Sequence, residues 1–224
     1  YDASSIHSVM KMRDRLDTDA YIGYMFGHMG NGKSAFAFLM GEIAKRELNY
    51  EVYSNVKSVY ENGYTDGYIN TFGELLSVYA GGTKISEISE IQTSEIETPD
   101  KDLLFIFDEG NQEASGYSQD AYETMEKLGK MITLIRKVGG HLIIIGHTGK
   151  DVHPHIRRLT TDCIHKVSKK KAKFYEDVEN AEGKDLKLEI SGIPMSNWEF
   201  DTMEISFWDW SLQTNEEMKE IAED

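Results

Sequence analysis

The sequence contains little cysteine and proline, and it lacks any long hydrophobic run. Its 224 residues include one cysteine, Cys163, and three prolines. A lone cysteine cannot form an internal disulfide, so the fold does not depend on an oxidising compartment. No apolar run approaches the roughly 18 residues that a membrane span requires, and no secretory signal is visible. We therefore expect a cytoplasmic protein that is not a disulfide scaffold.

Positive charge is also scarce, and it is unevenly distributed. The chain carries 39 acidic and 24 basic residues, and the resulting formal net charge of −15 argues against nucleic-acid binding over the whole surface. The window 136–173 departs from this average, because it holds ten basic and two acidic residues. This asymmetry predicts one face that meets a polyanion; a set of solvated loops is the alternative.

The hydrophobic pattern alternates between buried strands and amphipathic helices. Strands are predicted at Ala20–Phe26, Leu103–Phe107 and His141–Gly146, and helices at Ser34–Arg46 and Asp120–Lys137. Such alternation predicts an α/β fold with a mostly parallel central sheet flanked by helices. Four later segments lack long helices between them and are predicted to be antiparallel C-terminal edge strands: 163–167, 172–177, 186–190 and 199–207.

Composition divides the chain into three regions. Residues 1–19 are predicted to form a polar, helical N-terminal extension, and residues 20–190 the core of the fold. Within the core, residues 84–100 repeat the triplet Ser-Glu-Ile and are predicted to form a flexible acidic insertion. Residues 191–224 are predicted to form a C-terminal strand and an acidic tail.

The strongest chemical signal follows the first strand. Residues 27–34 fit the pattern G-x-x-x-x-G-K-[ST], with an apolar strand before it and a helix after it, which predicts a P-loop for ATP. Glycines allow backbone N–H groups to turn toward a phosphate, and the helix directs its positive end at the same anion. Lys33 is predicted to contact the β- and γ-phosphates, and Ser34 to bind Mg²⁺. The predicted nucleotide contacts are Gly27, His28, Met29, Gly30, Asn31, Gly32, Lys33 and Ser34.

A second signal ends the strand Leu103–Phe107, where two carboxylates follow in sequence. Ligands of open α/β sheets bind at the carboxyl ends of strands. Asp108 is predicted to hold Mg²⁺ through a water molecule, and Glu109 to polarise the water that attacks the γ-phosphate. An acid beside this aspartate indicates the hydrolytic branch of P-loop proteins, in which a further strand separates the two motifs.

The remaining candidates lie downstream. The strand His141–Gly146 is predicted to be that separating strand, so His147, or Thr148 next to it, is a candidate sensor of the γ-phosphate. Candidate arginine fingers or DNA contacts are Arg136, Arg157 and Arg158. A lysine-rich turn, predicted to lie away from the P-loop, is a further candidate DNA contact through Lys169, Lys170 and Lys171. Tryptophans 198, 208 and 210 have acidic neighbours and are predicted to pack on the sheet or on a neighbouring subunit rather than on bases.

Together these motifs resemble the FtsK–HerA superfamily of P-loop motor ATPases. The resemblance covers residues 20–168 and rests on the P-loop, on 107–109, and on the helix end and strand at 135–144. Residues 52–56 and 151–159 look like the zonular occludens toxin-like and filamentous-phage assembly branch. Compact size and the lack of a membrane span look more like viral genome-packaging ATPases. The superfamily's sensing strand usually ends in glutamine, whereas this chain has His147 or Thr148.

The resemblance implies a RecA-like (ASCE) P-loop fold and an ATP-hydrolysing motor that uses Mg²⁺. It further implies a homo-oligomeric ring that moves double-stranded DNA, packaging a viral genome in the host cytoplasm alongside capsid or membrane proteins of the virion. Three alternatives remain open. They are a virion assembly or export ATPase of the zonular occludens toxin-like type, a plasmid DNA-transfer motor, and a slow nucleotide-gated binding switch.

Overall fold

The computed structural model describes residues 3–79, 101–109, 121–146 and 154–212. Its helices are α1 (Ala3–Leu16), α2 (Lys33–Glu47), α3 (Lys57–Glu61), α4 (Phe72–Tyr79), α5 (Ala121–Lys137) and α6 (Pro154–Leu159). Its strands are β1 (Ile22–Phe26), β2 (Glu51–Ser54), β3 (Gly67–Tyr68), β4 (Leu103–Asp108), β5 (His141–Ile145), β6 (Asp162–Ser168), β7 (Lys171–Glu179) and β8 (Glu182–Ser191). The predicted insertion at 84–100 lies outside the described residues.

All eight strands belong to one sheet, in the order β3-β2-β4-β5-β1-β6-β7-β8. Strands β1 to β6 pair in parallel, while β7 and β8 pair antiparallel. The predicted α/β fold with a mostly parallel sheet is therefore confirmed. The prediction for 163–167 was wrong in orientation: this segment lies in β6, which runs parallel to β1 because α5, β5 and α6 return the chain to the starting edge of the sheet.

Strand β5 separates β1 from β4. This is the arrangement expected of the hydrolytic P-loop branch, and it brings the carboxyl ends of β1, β5 and β4 side by side. The segments that follow these ends are the predicted P-loop, the residues after Ile145, and the Asp108–Glu109 pair. The sheet order alone thus places the two predicted motifs at one edge with a single strand between them.

Helices cover the sheet on two faces because successive strand residues point to opposite sides. On one face, helices α1 and α2 pack on alternate strand residues, including Met25, Leu104, Ile106, Ile143, Ile145 and Ile164. On the other face, α4, α5 and α6 pack on the intervening residues, including Ile22, Tyr24, Phe105, Phe107, Leu142 and Ile144. Helix α1 is part of the hydrophobic core on the α2 face of the sheet, since the side chains of Met12 and Leu16 are fully buried there.

The C-terminal segment 192–212, which we call the strap, crosses from one face of the sheet to the other. Trp198 packs on Phe38 and Tyr64 beside α2, whereas Trp208 packs on Phe105 and Phe107 of the opposite face. The predicted packing on the sheet is confirmed for Trp208 and Trp210, which both contact Phe107 of β4, whereas Trp198 packs on α2. The strand predicted at 199–207 was wrong, because this stretch lies outside the sheet. Its side chains are held instead by contacts with other elements: Glu204 accepts from the N–H of Lys57 at the start of α3, and Ser206 donates to Asp108 at the end of β4.

Within the described part of the chain, no helix is both long and apolar enough to cross a membrane.

Candidate nucleotide-binding and hydrolysis site

The loop between β1 and α2 has the backbone of a phosphate-binding turn. Gly32 adopts a left-handed conformation (φ 78°) immediately before the first turn of α2, so the helix begins with its N–H groups directed into the loop. Gly27 lies against β6: a Cβ at this position would stand 2.5 Å from the carbonyl oxygen of Lys166. Both glycines are therefore needed for the path of the loop.

The middle of the loop is anchored to β6 by a side chain. Asn31 Nδ2 donates hydrogen bonds to the carbonyl oxygens of Lys166 (3.1 Å) and Val167 (3.0 Å). His28 and Met29, by contrast, are exposed to solvent at the tip of the loop. Of the predicted contact residues, Asn31 is thus anchored to β6, whereas His28 and Met29 are exposed.

Lys33 turns back into the loop, where its ammonium group donates to the carbonyl oxygens of Gly27 (2.8 Å) and His28 (3.2 Å). Burial lowers the pKa of Lys33, and the negative charge of Asp108 acts in the opposite direction. The structure therefore places the predicted phosphate-binding lysine within electrostatic reach of the predicted magnesium-binding aspartate. Ser34 follows in the first turn of α2 and is partly buried.

Asp108 is held at the end of β4 by neighbouring elements on both sides. Asn55, which follows β2, accepts from the Asp108 N–H (2.7 Å) and donates to its carbonyl oxygen (2.9 Å). Ser206 of the strap donates its hydroxyl to Asp108 Oδ2 (3.1 Å). The two hydrogen bonds with Asn55 fix the backbone of Asp108, whereas the Ser206 hydroxyl contacts its carboxylate. The orientation of the Asp108 side chain therefore depends in part on a residue 98 positions away in the sequence.

Glu109 lies between β4 and β5. Its N–H donates to the carbonyl oxygen of Ile145 (3.1 Å), and its Oε2 accepts from the hydroxyl of Tyr24 (3.4 Å). Burial raises the pKa of Glu109 to about 7; the Tyr24 hydrogen bond acts in the opposite direction, and the charge of Asp108 raises the pKa further. A carboxyl group poised near neutral pH is suited to accept a proton during hydrolysis.

The three predicted arginines are not brought to this edge, and the predicted sensor cannot be placed. His147 and Thr148 lie outside the described residues, so the sensor stays a prediction. Arg136 ends α5, where its Nη1 donates to the carbonyl oxygen of Leu159 (3.3 Å), and Arg157 and Arg158 end α6. These helix ends precede β5 and β6, so the three arginines lie at the opposite edge of the sheet from the P-loop. Arg136 therefore stays a prediction only as an arginine finger toward a neighbouring subunit.

The lysine-rich turn lies beside the P-loop, which corrects the expectation that it lies away from it. A Cβ on Gly32 would be 3.9 Å from both Cα and Cγ of Lys169. The physical reason is that β6 runs parallel to β1, so the turn after β6 reaches the edge at which the P-loop begins. Lys169 and Lys170 are exposed, whereas Lys171 forms an ion pair with Glu189 (2.8 Å).

The basic window 136–173 therefore does not form one face. Its arginines and its lysine turn lie at opposite ends of β6, and Lys166 is only 1% exposed, with its ammonium group over the ring of Phe36. Three residues that contact the site were not predicted from the sequence: Tyr24, Asn55 and Ser206. Of these, Asn55 directly follows β2, which is parallel to β4, so only the strand bounds found in the structure place it at the edge where ligands bind.

We expect Ser206→Ala to raise the Mg²⁺ concentration needed for half-maximal ATP turnover. Loss of the hydroxyl removes one donor to the Asp108 carboxylate, and a hydrogen bond of this kind is worth about 0.5–1.5 kcal/mol, equivalent to about 2- to 10-fold. A Mg²⁺ titration of phosphate release measures the shift. Ser196→Ala is the matched control, since Ser196 also lies on the strap and donates to a carboxylate, that of Glu42, away from the site (3.0 Å). An equal shift in both variants would contradict the role of Ser206.

Comparison with known proteins gives structural matches only. No protein-family model matches this chain, and no characterised protein matches it by sequence. The cytoplasmic domain of the type VII secretion ATPase EccC from Thermomonospora curvata is similar at a TM-score of 0.47 and 16% identity, over 79% of this chain and 24% of that one. EssC (ATPases 2 and 3) from Geobacillus thermodenitrificans is similar at a TM-score of 0.46 and 12% identity, over 80% of this chain and 38% of that one.

A third similar structure contains ATPases 2 and 3 of the Thermomonospora curvata EccC in complex with a signal sequence peptide. Its TM-score is 0.43 and its identity 14%, over 79% of this chain and 37% of that one. This chain thus spans 24–38% of the length of these three structures. Similarity at this distance carries no argument about function, which has to rest on the geometry of the site.

Proposed function

We propose that this chain binds ATP with Mg²⁺ and hydrolyses it to ADP and phosphate. One observation carries the proposal: the loop 27–34 and the pair Asp108–Glu109 meet at one edge of the sheet, with β5 alone between their strands. A phosphate-binding loop and a buried carboxyl group with a pKa raised to about 7 are two parts suited to hydrolysis of the terminal phosphoanhydride bond of ATP.

The residues at this edge fit a nucleotide and its metal. The start of α2 and the ammonium group of Lys33 suit phosphate oxygens. The Ser34 hydroxyl and the Asp108 carboxylate are oxygen donors of the kind that Mg²⁺ prefers, with Asp108 acting through water. When bound, Mg²⁺ neutralises phosphate charge. Glu109 accepts a proton from the attacking water as the bond to the γ-phosphorus forms, and ADP leaves.

Magnesium-dependent release of phosphate from ATP by the purified chain is the direct test of this activity. Complete absence of release at neutral pH, with ATP, Mg²⁺ and folded protein present, would overturn the proposal. Release that is equally fast without Mg²⁺ would also contradict it, since Ser34 and Asp108 would then have no role.

We further propose that hydrolysis drives a motor of the FtsK–HerA type, a homo-oligomeric ring that moves double-stranded DNA and packages a viral genome. The sequence motifs support this finer assignment, and so does the lysine turn. Two exposed lysines, Lys169 and Lys170, stand beside the P-loop in a protein of net charge −15. A phosphate backbone that contacts this turn would act on an element adjacent to the nucleotide site, as coupling of DNA to ATP turnover requires.

We expect Lys170→Ala combined with Lys171→Ala to weaken duplex DNA binding and its salt dependence. Each phosphate contact that is lost should reduce the slope of log affinity against log salt by about 0.9. DNA stimulation of ATP turnover should fall, while turnover without DNA is retained. Lys169 is left in place because it lies against Gly32, so that its replacement would disturb the P-loop as well.

A matched control removes the same charge elsewhere. Lys130 and Lys184 are exposed, each pairs with a glutamate, and both lie outside the window 136–173. Salt titrations of Lys130→Ala combined with Lys184→Ala should retain the wild-type slope. Equal slopes for the wild type, the turn variant and the control would overturn the DNA contact while leaving the ATPase proposal standing.

A further inference from the structure

Tyr24 reaches the catalytic edge from a strand that does not adjoin Glu109. It lies in β1, three residues before the P-loop begins, and is 6% exposed. Its hydroxyl donates to Glu109 Oε2 at 3.4 Å, although β5 separates β1 from β4. The phenol therefore has to pass across the end of β5 to make this contact.

Gly146 provides the passage. A Cβ on this residue would stand 2.2 Å from the Tyr24 hydroxyl oxygen and 2.5 Å from its Cζ. These distances are too short for any side chain at position 146 while the Tyr24 ring stays in place. The backbone of Gly146 does not itself require glycine, since its φ lies outside the left-handed region. The ring of Tyr24 thus explains why the residue after β5 has no side chain. This steric fit supports the position of Tyr24 independently of its hydrogen bond to Glu109.

The backbone of Glu109 is already fixed, which leaves its side chain as the part to be oriented. The N–H of Glu109 bonds to Ile145 of β5, so its Cα has a defined position at the edge of the sheet. A glutamate side chain still has several rotamers, and a catalytic group must keep one geometry relative to the reacting atoms. A donor on Oε2 restricts the choice of rotamer, and the second carboxylate oxygen remains available as the proton acceptor.

We propose that Tyr24, admitted by Gly146, is a positioning residue that holds the carboxylate of Glu109 for attack on ATP. The inference rests on the proposed ATPase activity. It adds that the strand carrying the P-loop also orients the water-activating group, so that one strand determines the relative placement of phosphate and carboxylate.

The test is the kinetics of Tyr24→Phe, which keeps the ring and removes the hydroxyl. We expect kcat for ATP to fall about tenfold while KM and the affinity for a non-hydrolysable ATP analogue stay unchanged, because the contact acts only on the reaction step. In a Glu109→Gln background the same change should alter the rate less than twofold, since there is no carboxylate left to position. Gly146→Ala, which displaces the phenol, should reproduce both results.

Tyr53→Phe is the matched control, because the Tyr53 hydroxyl also donates to a glutamate, Glu51 (2.9 Å), on a strand away from the site. It should leave kcat unchanged. An unchanged or increased kcat in Tyr24→Phe would overturn the positioning role. So would an equal loss in the Glu109→Gln background, which would indicate a purely structural effect. Absence of turnover in the wild type would instead overturn the ATPase proposal itself, so the two failures are distinguishable.

Discussion

Replacing Lys33 with alanine is expected to abolish ATP turnover while leaving the chain folded. The ammonium group donates to the carbonyl oxygens of Gly27 and His28, so it is directed into the loop and not into the hydrophobic core. Phosphate oxygens would take the place of these carbonyl acceptors. A charge-assisted contact of this kind is worth about 1.5–3 kcal/mol in binding, and more in the transition state, where charge develops on the transferred phosphoryl group.

The measurements are phosphate release, affinity for an ATP analogue and the thermal midpoint. We expect release to fall below detection, affinity to fall roughly 10- to 100-fold in line with the loss of such a contact, and the thermal midpoint to stay within a few degrees of the wild type. Ser34→Ala should also abolish turnover, because it removes the hydroxyl predicted to bind Mg²⁺.

Lys45→Ala is the matched control for Lys33→Ala. Lys45 lies on the same helix, and its ammonium group is also bonded, to the Tyr64 carbonyl oxygen (3.1 Å) and to Asp66 (2.8 Å), but at the far end of α2. It should keep normal turnover. Normal turnover in Lys33→Ala would mean that the loop 27–34 is not a P-loop in function, whatever its backbone resembles.

The motifs and their relative placement could be predicted from the sequence for a physical reason. A P-loop is a local pattern, in which glycines, a lysine and a helix start must be adjacent in the chain. Parallel strands joined by helices necessarily end at the same edge of the sheet. Once Ala20–Phe26 and Leu103–Phe107 were identified as strands, the convergence of Lys33 with Asp108 followed from connectivity alone.

The contacts of Tyr24, Asn55 and Ser206 could not be predicted in the same way. Each joins residues that are 53 to 98 positions apart. Such pairs depend on which strands are neighbours and on how the strap crosses the sheet, and no local pattern encodes either. The strap shows the difficulty directly, because alternating polar and apolar residues predicted a strand at 199–207. The alternation instead separates Glu204 and Ser206, which bond inward, from the exposed Met203 and Ile205.

The excess of basic residues in the segment 136–173 did not predict where positive charge lies on the folded surface. Strand β6 has seven residues and spans about 20 Å, so the basic residues before it and after it lie at opposite edges of the sheet. Pairing reduces the apparent charge further: Lys171 bonds to Glu189, and Arg157 donates to the carbonyl oxygen of Val178. What remains beside the nucleotide site is a short exposed turn rather than a basic face.

Glu109→Gln is expected to bind ATP normally and to hydrolyse it very slowly. Glutamine keeps the shape of the side chain and can still accept the Tyr24 hydrogen bond, but it cannot take a proton from water. Removal of a general base of this kind commonly costs about 10²–10⁴ in rate. Because Lys33, Ser34 and Asp108 are untouched, affinity for ATP and its dependence on Mg²⁺ should match those of the wild type.

Single-turnover hydrolysis and nucleotide binding, measured on the same preparation, separate the two effects. Asp108→Asn provides the contrast, since it should weaken Mg²⁺ binding before it affects the chemical step. Glu51→Gln is the matched control, because Glu51 also accepts a tyrosine hydroxyl but lies at the amino end of β2, away from the carboxyl ends of the strands where the site lies. This variant should hydrolyse ATP at the wild-type rate. If Glu109→Gln lost Mg²⁺ affinity and Asp108→Asn lost only the chemical step, the roles of the two carboxylates would have to be exchanged. Rapid turnover by Glu109→Gln would show that another group activates the water.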